Sequence, residues 1–146
     1  MNDTPHTTMK MGTALDPDAY GTTTITASGA TEIDTAGYAW LTYICQAGDI
    51  ASTGELTFTA QESATAGSGY ASITGGAATT LTEAGTDSNK HVLISINLKK
   101  AARLRYHILA RTVTTAGADA GAAYVLSQSQ YLPFANAQAD QVLVVT

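Results

Sequence analysis

The stretch HVLISINLKKAARLRYHILARTV, residues 91–113, contains two segments in which apolar residues alternate with other residues. The even positions of the first segment, residues 91–98, are Val92, Ile94, Ile96 and Leu98. The even positions of the second are mostly apolar: Leu104, Tyr106, Ile108, Ala110 and Thr112. Its odd positions form what we call the basic stripe: Arg103, Arg105, His107 and Arg111. Because a period of two is typical of strands buried on one face, we predict two strands, the second turning the basic stripe outward.

Further strands are indicated on both sides of this stretch. They cover residues 22–28, 38–45, 56–62, 70–73, 78–81, 122–130 and 141–145. Residues 38–45, YAWLTYIC, are apolar on both faces, which predicts a central strand with Cys45 buried. Turn residues recur between the segments, as in all-β folds. We therefore expect an all-β chain: a single β-sandwich, jelly-roll or immunoglobulin-like, with about seven to nine short antiparallel strands. The sandwich would span residues 21–146 and follow an extended N-terminal arm, residues 1–20.

The composition favours assembly with other proteins. Charged residues make up 13% of the chain, about half of the usual fraction. Alanine and threonine form about a third of it, and such small side chains lose little entropy when a surface is buried. The net charge of −5 argues against nucleic-acid binding. Apolar runs long enough for a membrane span and the apolar core of a signal peptide are both missing, so we expect no membrane partner and synthesis in the cytoplasm.

The sequence shows no arrangement of residues that predicts catalysis or metal binding. His6, His91 and His107 are far apart, and the single Cys45 excludes a cysteine-based zinc site. The carboxylate pairs Glu32/Asp34 and Asp16/Asp18 fit solvated loops, and the glycines match no phosphate-binding motif. We expect no enzyme activity, no metal and no cofactor.

Two segments together carry a resemblance to a known family. Residues 56–76, LTFTAQESATAGSGYASITGG, combine a strand, a Ser/Gly turn, an aromatic residue and a second short strand. Residues 102–133 begin with Arg-Leu-Arg-Tyr, continue as an alternating strand and a Thr/Ala/Gly loop, and end near a proline. This order resembles small all-β virion proteins of tailed bacteriophages, the capsid decoration or cement proteins.

The resemblance implies a structural protein on the outer capsid surface of the virion, with the major capsid protein as partner. It also implies a homo-oligomer, for which lattice geometry suggests a trimer. The expected capsid contacts are cationic or lie in the basic stripe: Lys99, Lys100, Arg103, Arg105, His107 and Arg111.

Other functions fit the same pattern. One is another phage structural part, such as a head–tail connector, a tail-tube subunit or a fibre base. Another is a carbohydrate-binding β-sandwich, for which the candidate stacking residues are Tyr38, Tyr43, Tyr70, Tyr124 and Tyr131. A hydrolase is the weakest alternative.

Overall fold

A computed structural model describes residues 9–21, 23–25, 29–78, 80–83, 86–99, 103–128 and 141–145. Within these ranges the chain forms strands, turns and bends. The described part contains no helix that could cross a membrane. The predicted all-β class is confirmed.

The described residues form eleven strands. They are β1 (Met9–Tyr20), β2 (Thr23–Ile25), β3 (Ile33–Asp34), β4 (Trp40–Ile50), β5 (Glu55–Ser63), β6 (Ala71–Ala77), β7 (Leu81–Thr82), β8 (His91–Asn97), β9 (Tyr106–Thr114), β10 (Ala118–Ser127) and β11 (Gln141–Val145). Three of them, β2, β3 and β7, are only two or three residues long. Apart from β1, the longer strands overlap the segments in which alternation or apolar runs predicted strands.

The strands form two sheets. Sheet A has the order β1-β10-β4-β8-β11. Sheet B has the order β2-β9-β5-β6, with β3 paired to β9 and β7 paired to β5. The described pairs are antiparallel except β8 with β11, which is parallel. Two sheets around a shared core are the expected β-sandwich.

The centre of sheet A is buried on its core side and partly buried on the other side. On the core side, residues of β4 pair with residues of β10 as Leu41–Leu126, Tyr43–Tyr124 and Cys45–Ala122, and all six are buried. On the other side, the Thr42 and Ser95 hydroxyls lie 3.0 Å apart and are also buried. The prediction for residues 38–45 therefore holds in part: residues 39–43 and Cys45 are buried, whereas Tyr38 and Ile44 are half-buried. Burial raises the pKa of the Cys45 thiol, so Cys45 packs as a small apolar side chain.

Part of the predicted N-terminal arm is the edge strand of sheet A. Met9–Tyr20 pairs with β10, with irregularities after Thr13 and Leu15. Ala14 and Leu15 belong to the core cluster, whereas Met11 is 67% exposed. Residues 1–8 lie outside the described residues.

The faces of β9 are the reverse of those predicted. Phe58 pairs with Arg111 and Ala60 pairs with Leu109. Directly opposed residues share one face of a sheet, and Phe58, Ala60 and Leu109 belong to the core cluster. Arg111 therefore faces the core. Ile108 lies on the outer face with its partner Gln61.

The prediction that His107 and Arg111 point outward is therefore wrong. Both side chains are completely buried. His107 pairs with Ile33 on one side and Glu62 on the other, and Ile33 is a core residue. The error has a simple cause, because alternation shows that two faces differ without showing which face meets the second sheet.

The turn that joins β4 to β5 generates a stability prediction. A Cβ added at Gly54 would lie 2.8 Å from the Ala51 carbonyl oxygen and 3.1 Å from the Gly117 carbonyl oxygen. These backbone atoms cannot move without disturbing the turn, in which the Gly54 N–H donates to the Ala51 carbonyl. We expect Gly54→Ala to lower the free energy of unfolding by about 1–3 kcal/mol in a denaturant titration.

The control is Gly21→Ala, because a Cβ at that position meets no atom within 4 Å. Equal stability of the two variants would contradict the described geometry of the turn.

Candidate functional site

The six expected contact residues differ in their exposure. Lys99 and Arg105 are exposed and Arg103 is partly buried. His107 and Arg111 are buried, and Lys100 lies outside the described residues. The basic stripe is therefore not one exposed surface. Its accessible members lie at one end of the sandwich, in and beside the connection from β8 to β9.

This end of the sandwich is rich in charged groups, and we call it the charged end. Its described charged residues are Glu32, Asp34, Glu62, Lys99, Arg103 and Arg105. The turn before β4, the end of β5 and the connection between β8 and β9 meet there. A cleft of about 310 Å³ lies between the first and the last of these segments, lined by residues 35–38, 98 and 103–105.

Arg105 is held by an acid that lies 71 residues away in the sequence. Its Nε donates to Asp34 Oδ1 at 2.8 Å, and its Nη2 donates to Asp34 Oδ2 at 2.6 Å. Its guanidinium also lies 5.2 Å from the centre of the Tyr106 ring. The Arg105 side chain is still 55% exposed. The contact fixes the direction of the side chain, but as an exposed ion pair it contributes little to stability.

The contact with Arg105 changes the pKa of the Asp34 carboxyl. The hydrogen bonds from Arg105, followed by that from the Ala36 N–H, lower the pKa of the Asp34 carboxyl to about 2. Asp34 therefore keeps its charge at all pH values at which Arg105 would meet a partner.

Glu62 joins β5 to the connection that precedes β9. Its Oε2 accepts a hydrogen bond from the Leu104 N–H at 3.1 Å and lies 3.9 Å from His107 Nε2. Its Oε1 lies 3.5 Å from Arg103 Nη1. The Glu62 side chain is only 13% exposed, so its contacts with Arg103 and His107 are largely shielded from water, whereas its hydrogen bond with the Leu104 N–H lies at the surface. Glu62 thus fixes Arg103 and Leu104 against the end of the sandwich.

Leu104 is held at both of its backbone groups. Its N–H binds Glu62, and its carbonyl accepts a hydrogen bond from His107 Nε2 at 2.9 Å. Its side chain is 38% exposed. The result is an apolar side chain presented between two arginines on a fixed backbone.

A further acid orders the loop between β5 and β6. Glu32 Oε2 accepts hydrogen bonds from the Gly67 N–H, at 2.6 Å, and from the Tyr70 hydroxyl. The Tyr70 bond, followed by the Gly67 bond, lowers the pKa of Glu32. Burial, followed by the bond to Glu32, raises the pKa of Tyr70 to about 12. Glu32 and Tyr70 therefore tie the loop between β5 and β6 to the segment that precedes β3.

The tyrosines expected for carbohydrate stacking divide in a similar way. Tyr43 and Tyr124 lie in the core and cannot meet a ligand. Tyr38 and Tyr70 are half-buried near the charged end, and Tyr131 lies outside the described residues.

A second groove, of about 710 Å³, lies on the outer face of sheet A. Its polar lining includes Asp18, Asp119 and His91, and small residues such as Gly121 and Ala123 line much of the rest. Among the described residues that line it, the imidazole of His91 is the only aromatic ring. Within the described ranges, no three His, Cys, Asp or Glu residues are placed to hold a metal ion.

No protein-family model, curated protein or solved structure matches this chain.

The sequence analysis missed Asp34, Glu62 and Leu104 as residues of the charged end. Asp34 and Glu62 are separated from their arginine partners by 71 and 41 positions, so no local pattern connects them. Leu104 stands at an apolar position of the alternation, which predicted burial. It is exposed because β9 begins two residues later, at Tyr106.

Removing the Glu62 carboxylate tests its role in holding the connection. Glu62→Ala leaves the Leu104 N–H without its acceptor and removes the acid next to Arg103. We expect the free energy of unfolding to fall by about 1–3 kcal/mol in a denaturant titration at neutral pH.

Glu55→Ala is the matched control on the same strand. Glu55 is exposed and accepts a hydrogen bond from the Thr114 hydroxyl at 2.7 Å. We expect its loss to change stability by about 0.5 kcal/mol or less. If the two variants were equally stable, Glu62 would not be holding the connection.

The pKa of Asp34 tests the Arg105 contact directly. Because the Arg105 hydrogen bonds are the largest cause of the shift, Arg105→Ala should raise the pKa of Asp34 from about 2 towards its ordinary value of 3.8. The lowered pKa means that Asp34 stabilises the fold above pH 3.8 and loses this contribution as the pH falls towards about 2. A carboxyl-carbon NMR titration measures both proteins. An unchanged Asp34 midpoint in the variant would show that the contact does not exist in solution.

Proposed function

We propose that this chain is a capsid decoration protein of a tailed bacteriophage, which binds the outer surface of the major capsid lattice and stabilises the head. The observation that carries the proposal is the charged end. There, an apolar side chain and cationic side chains are displayed on a connection whose backbone is fixed from two strands. A fixed, partly apolar patch suits binding to a protein surface, because little order has to be gained on contact.

The surface chemistry agrees with a protein partner. Leu104 is 38% exposed, and Lys99 and Arg105 lie on either side of it in the sequence. An apolar centre with a charged rim is the usual arrangement of a protein interface. We assign Lys99, Leu104 and Arg105 as the docking residues of the charged end. Arg103 serves to position them through Glu62.

The segments that carry the family resemblance form neighbouring parts of the fold. Residues 56–76 include most of β5 and most of β6, and residues 102–133 include β9 and β10. β5 and β9 pair directly in sheet B. The charged end lies where β5 ends and β9 begins, so both segments contribute to the proposed docking site.

A decoration protein acts through many copies. Each bound copy favours the assembled shell over its separated subunits by mass action, and a symmetric oligomer adds the contacts of its members. We propose that the chain binds as a homo-oligomer, with a trimer at three-fold lattice positions as the simplest arrangement. The proposal includes no enzyme activity and no cofactor.

Binding to capsids tests the proposal. The starting material is capsids of the phage that encodes the chain, purified without this protein, to which purified variants are added. We expect Lys99→Glu combined with Arg105→Glu to weaken binding by about tenfold or more, since like charges facing each other across an interface cost several kcal/mol. Bound protein is measured by co-sedimentation.

Lys90→Glu is the control, because Lys90 precedes β8 at the opposite end of that strand from Lys99. It reverses one positive charge away from the docking residues, where the double variant reverses two, so it controls for the effect of a charge reversal elsewhere on the surface. Unchanged binding of the double variant would remove the charged end as the docking surface. A copy number of six or twelve per particle, instead of hundreds, would replace decoration with a connector role.

A further inference from the structure

His107 lies where the connection from β8 meets the two strands that flank β9. Its side chain is completely buried. Ile33 of β3 and Glu62 of β5 are its paired neighbours, and its Nε2 binds the Leu104 carbonyl at 2.9 Å. His107 therefore takes part in fixing the backbone of the connection.

The hydrogen bond to Leu104 determines which nitrogen carries the proton. A carbonyl oxygen only accepts, so Nε2 is the donor and Nδ1 has no proton in the neutral ring. Nδ1 is buried and has no hydrogen-bond partner in the described part of the chain. The site thus fits the neutral imidazole and gives a second N–H no acceptor.

The positive and negative charges around His107 nearly cancel. Glu62 faces it from β5, with its Oε2 3.9 Å from Nε2, and Arg103 faces it from the connection. Arg103 is itself paired with Glu62 at 3.5 Å. Beyond these, Asp34 of β3 is paired with Arg105. The nearby acids are therefore already matched by arginines.

We propose that His107 is an acid-sensitive latch, whose protonation releases residues 103–105 from the end of the sandwich. Protonation places a hydrogen on Nδ1, which is enclosed and lacks an acceptor. Moving the connection away lets water reach the ring and supply that acceptor. The same movement separates Leu104 from Glu62 and Arg105 from Thr35, whose N–H donates to the Arg105 carbonyl at 3.1 Å.

The direction of the pH effect follows from the burial of the ring. Burial is the largest cause that lowers the pKa of His107 below 6.5, although the Leu104 carbonyl and Glu62 act in the opposite direction. A histidine with a lowered pKa stabilises the closed state above pH 6.5, and this contribution is lost as the pH falls below it. The latch therefore holds at neutral pH and opens in mild acid.

The consequence for docking rests on the proposed function. Lys99, Leu104 and Arg105 are the assigned docking residues, and the latch fixes the backbone of two of them. Opening the latch would make the docking patch mobile and weaken capsid binding in acid.

Amide hydrogen exchange on the isolated protein tests the latch without a partner. The reporters are the amides of Leu104 and Thr35, whose hydrogen bonds break on opening. When the pH is lowered from 7.5 to 5, we expect the exchange rates of these amides, corrected for the intrinsic rate, to rise about tenfold or more. This size follows from an ordinary histidine pKa near 6.5 in the open state. Amides in β4 should stay protected, which separates local opening from unfolding.

His107→Gln is the main variant, because its amide can donate to the Leu104 carbonyl and does not titrate in this range. We expect less than a twofold change in exchange at Leu104 and Thr35 over the same pH interval. His91→Gln, at an exposed position on β8, should behave like the wild type. The same pH response in His107→Gln and wild type would overturn the proposal.

If His107→Gln does not fold, an NMR titration of the imidazoles in the wild-type protein tests the proposal instead. A His107 midpoint below 6.5 that coincides with a change at the Leu104 amide supports the latch. A midpoint at or above 6.5 with an unchanged Leu104 amide overturns it. Both measurements use the protein alone, so a failure of capsid binding would contradict the proposed function and leave the latch standing.

Discussion

Pairing of Phe58 with Arg111 and of Ala60 with Leu109 determines which face of β9 meets the core. Everything at the charged end follows from this register. It places His107 beside Glu62 inside the fold and leaves the connection before β9 to turn at the surface. A shift of one residue would exchange the two faces of the strand, because side chains alternate with a period of two. The register therefore decides which cations are accessible.

The proposed docking site depends on interior contacts as much as on exposed ones. Glu62 is largely buried, yet it holds Arg103 and Leu104 where a partner could meet the surface beside them. Arg105 is exposed, yet Asp34 fixes its direction. Acids that neutralise part of the positive charge thereby give the patch a defined shape. Binding to a repeated protein lattice requires such a shape more than a high charge, because each copy must dock in the same way.

The sequence predicted the fold class and most of the long strands, because alternation and apolar runs are local signals. It also predicted the burial of Cys45 within a central strand of its sheet. It did not predict that Met9–Tyr20 pairs with β10, since this segment has a proline, two acids and irregular spacing. It misplaced His107 and Arg111, because alternation is symmetric between inside and outside. The contacts of Glu62 and Asp34 join distant positions, which only the assembled sheets bring together.

Interstrand nuclear Overhauser effects between β5 and β9 test the central claim most directly. The account predicts effects that pair Phe58 with Arg111, Ala60 with Leu109 and Glu62 with His107. It also predicts that the Arg111 side-chain protons contact core side chains. A pairing of Phe58 with Ala110 or Thr112 would contradict the account, because that register turns the basic stripe outward and separates Glu62 from His107.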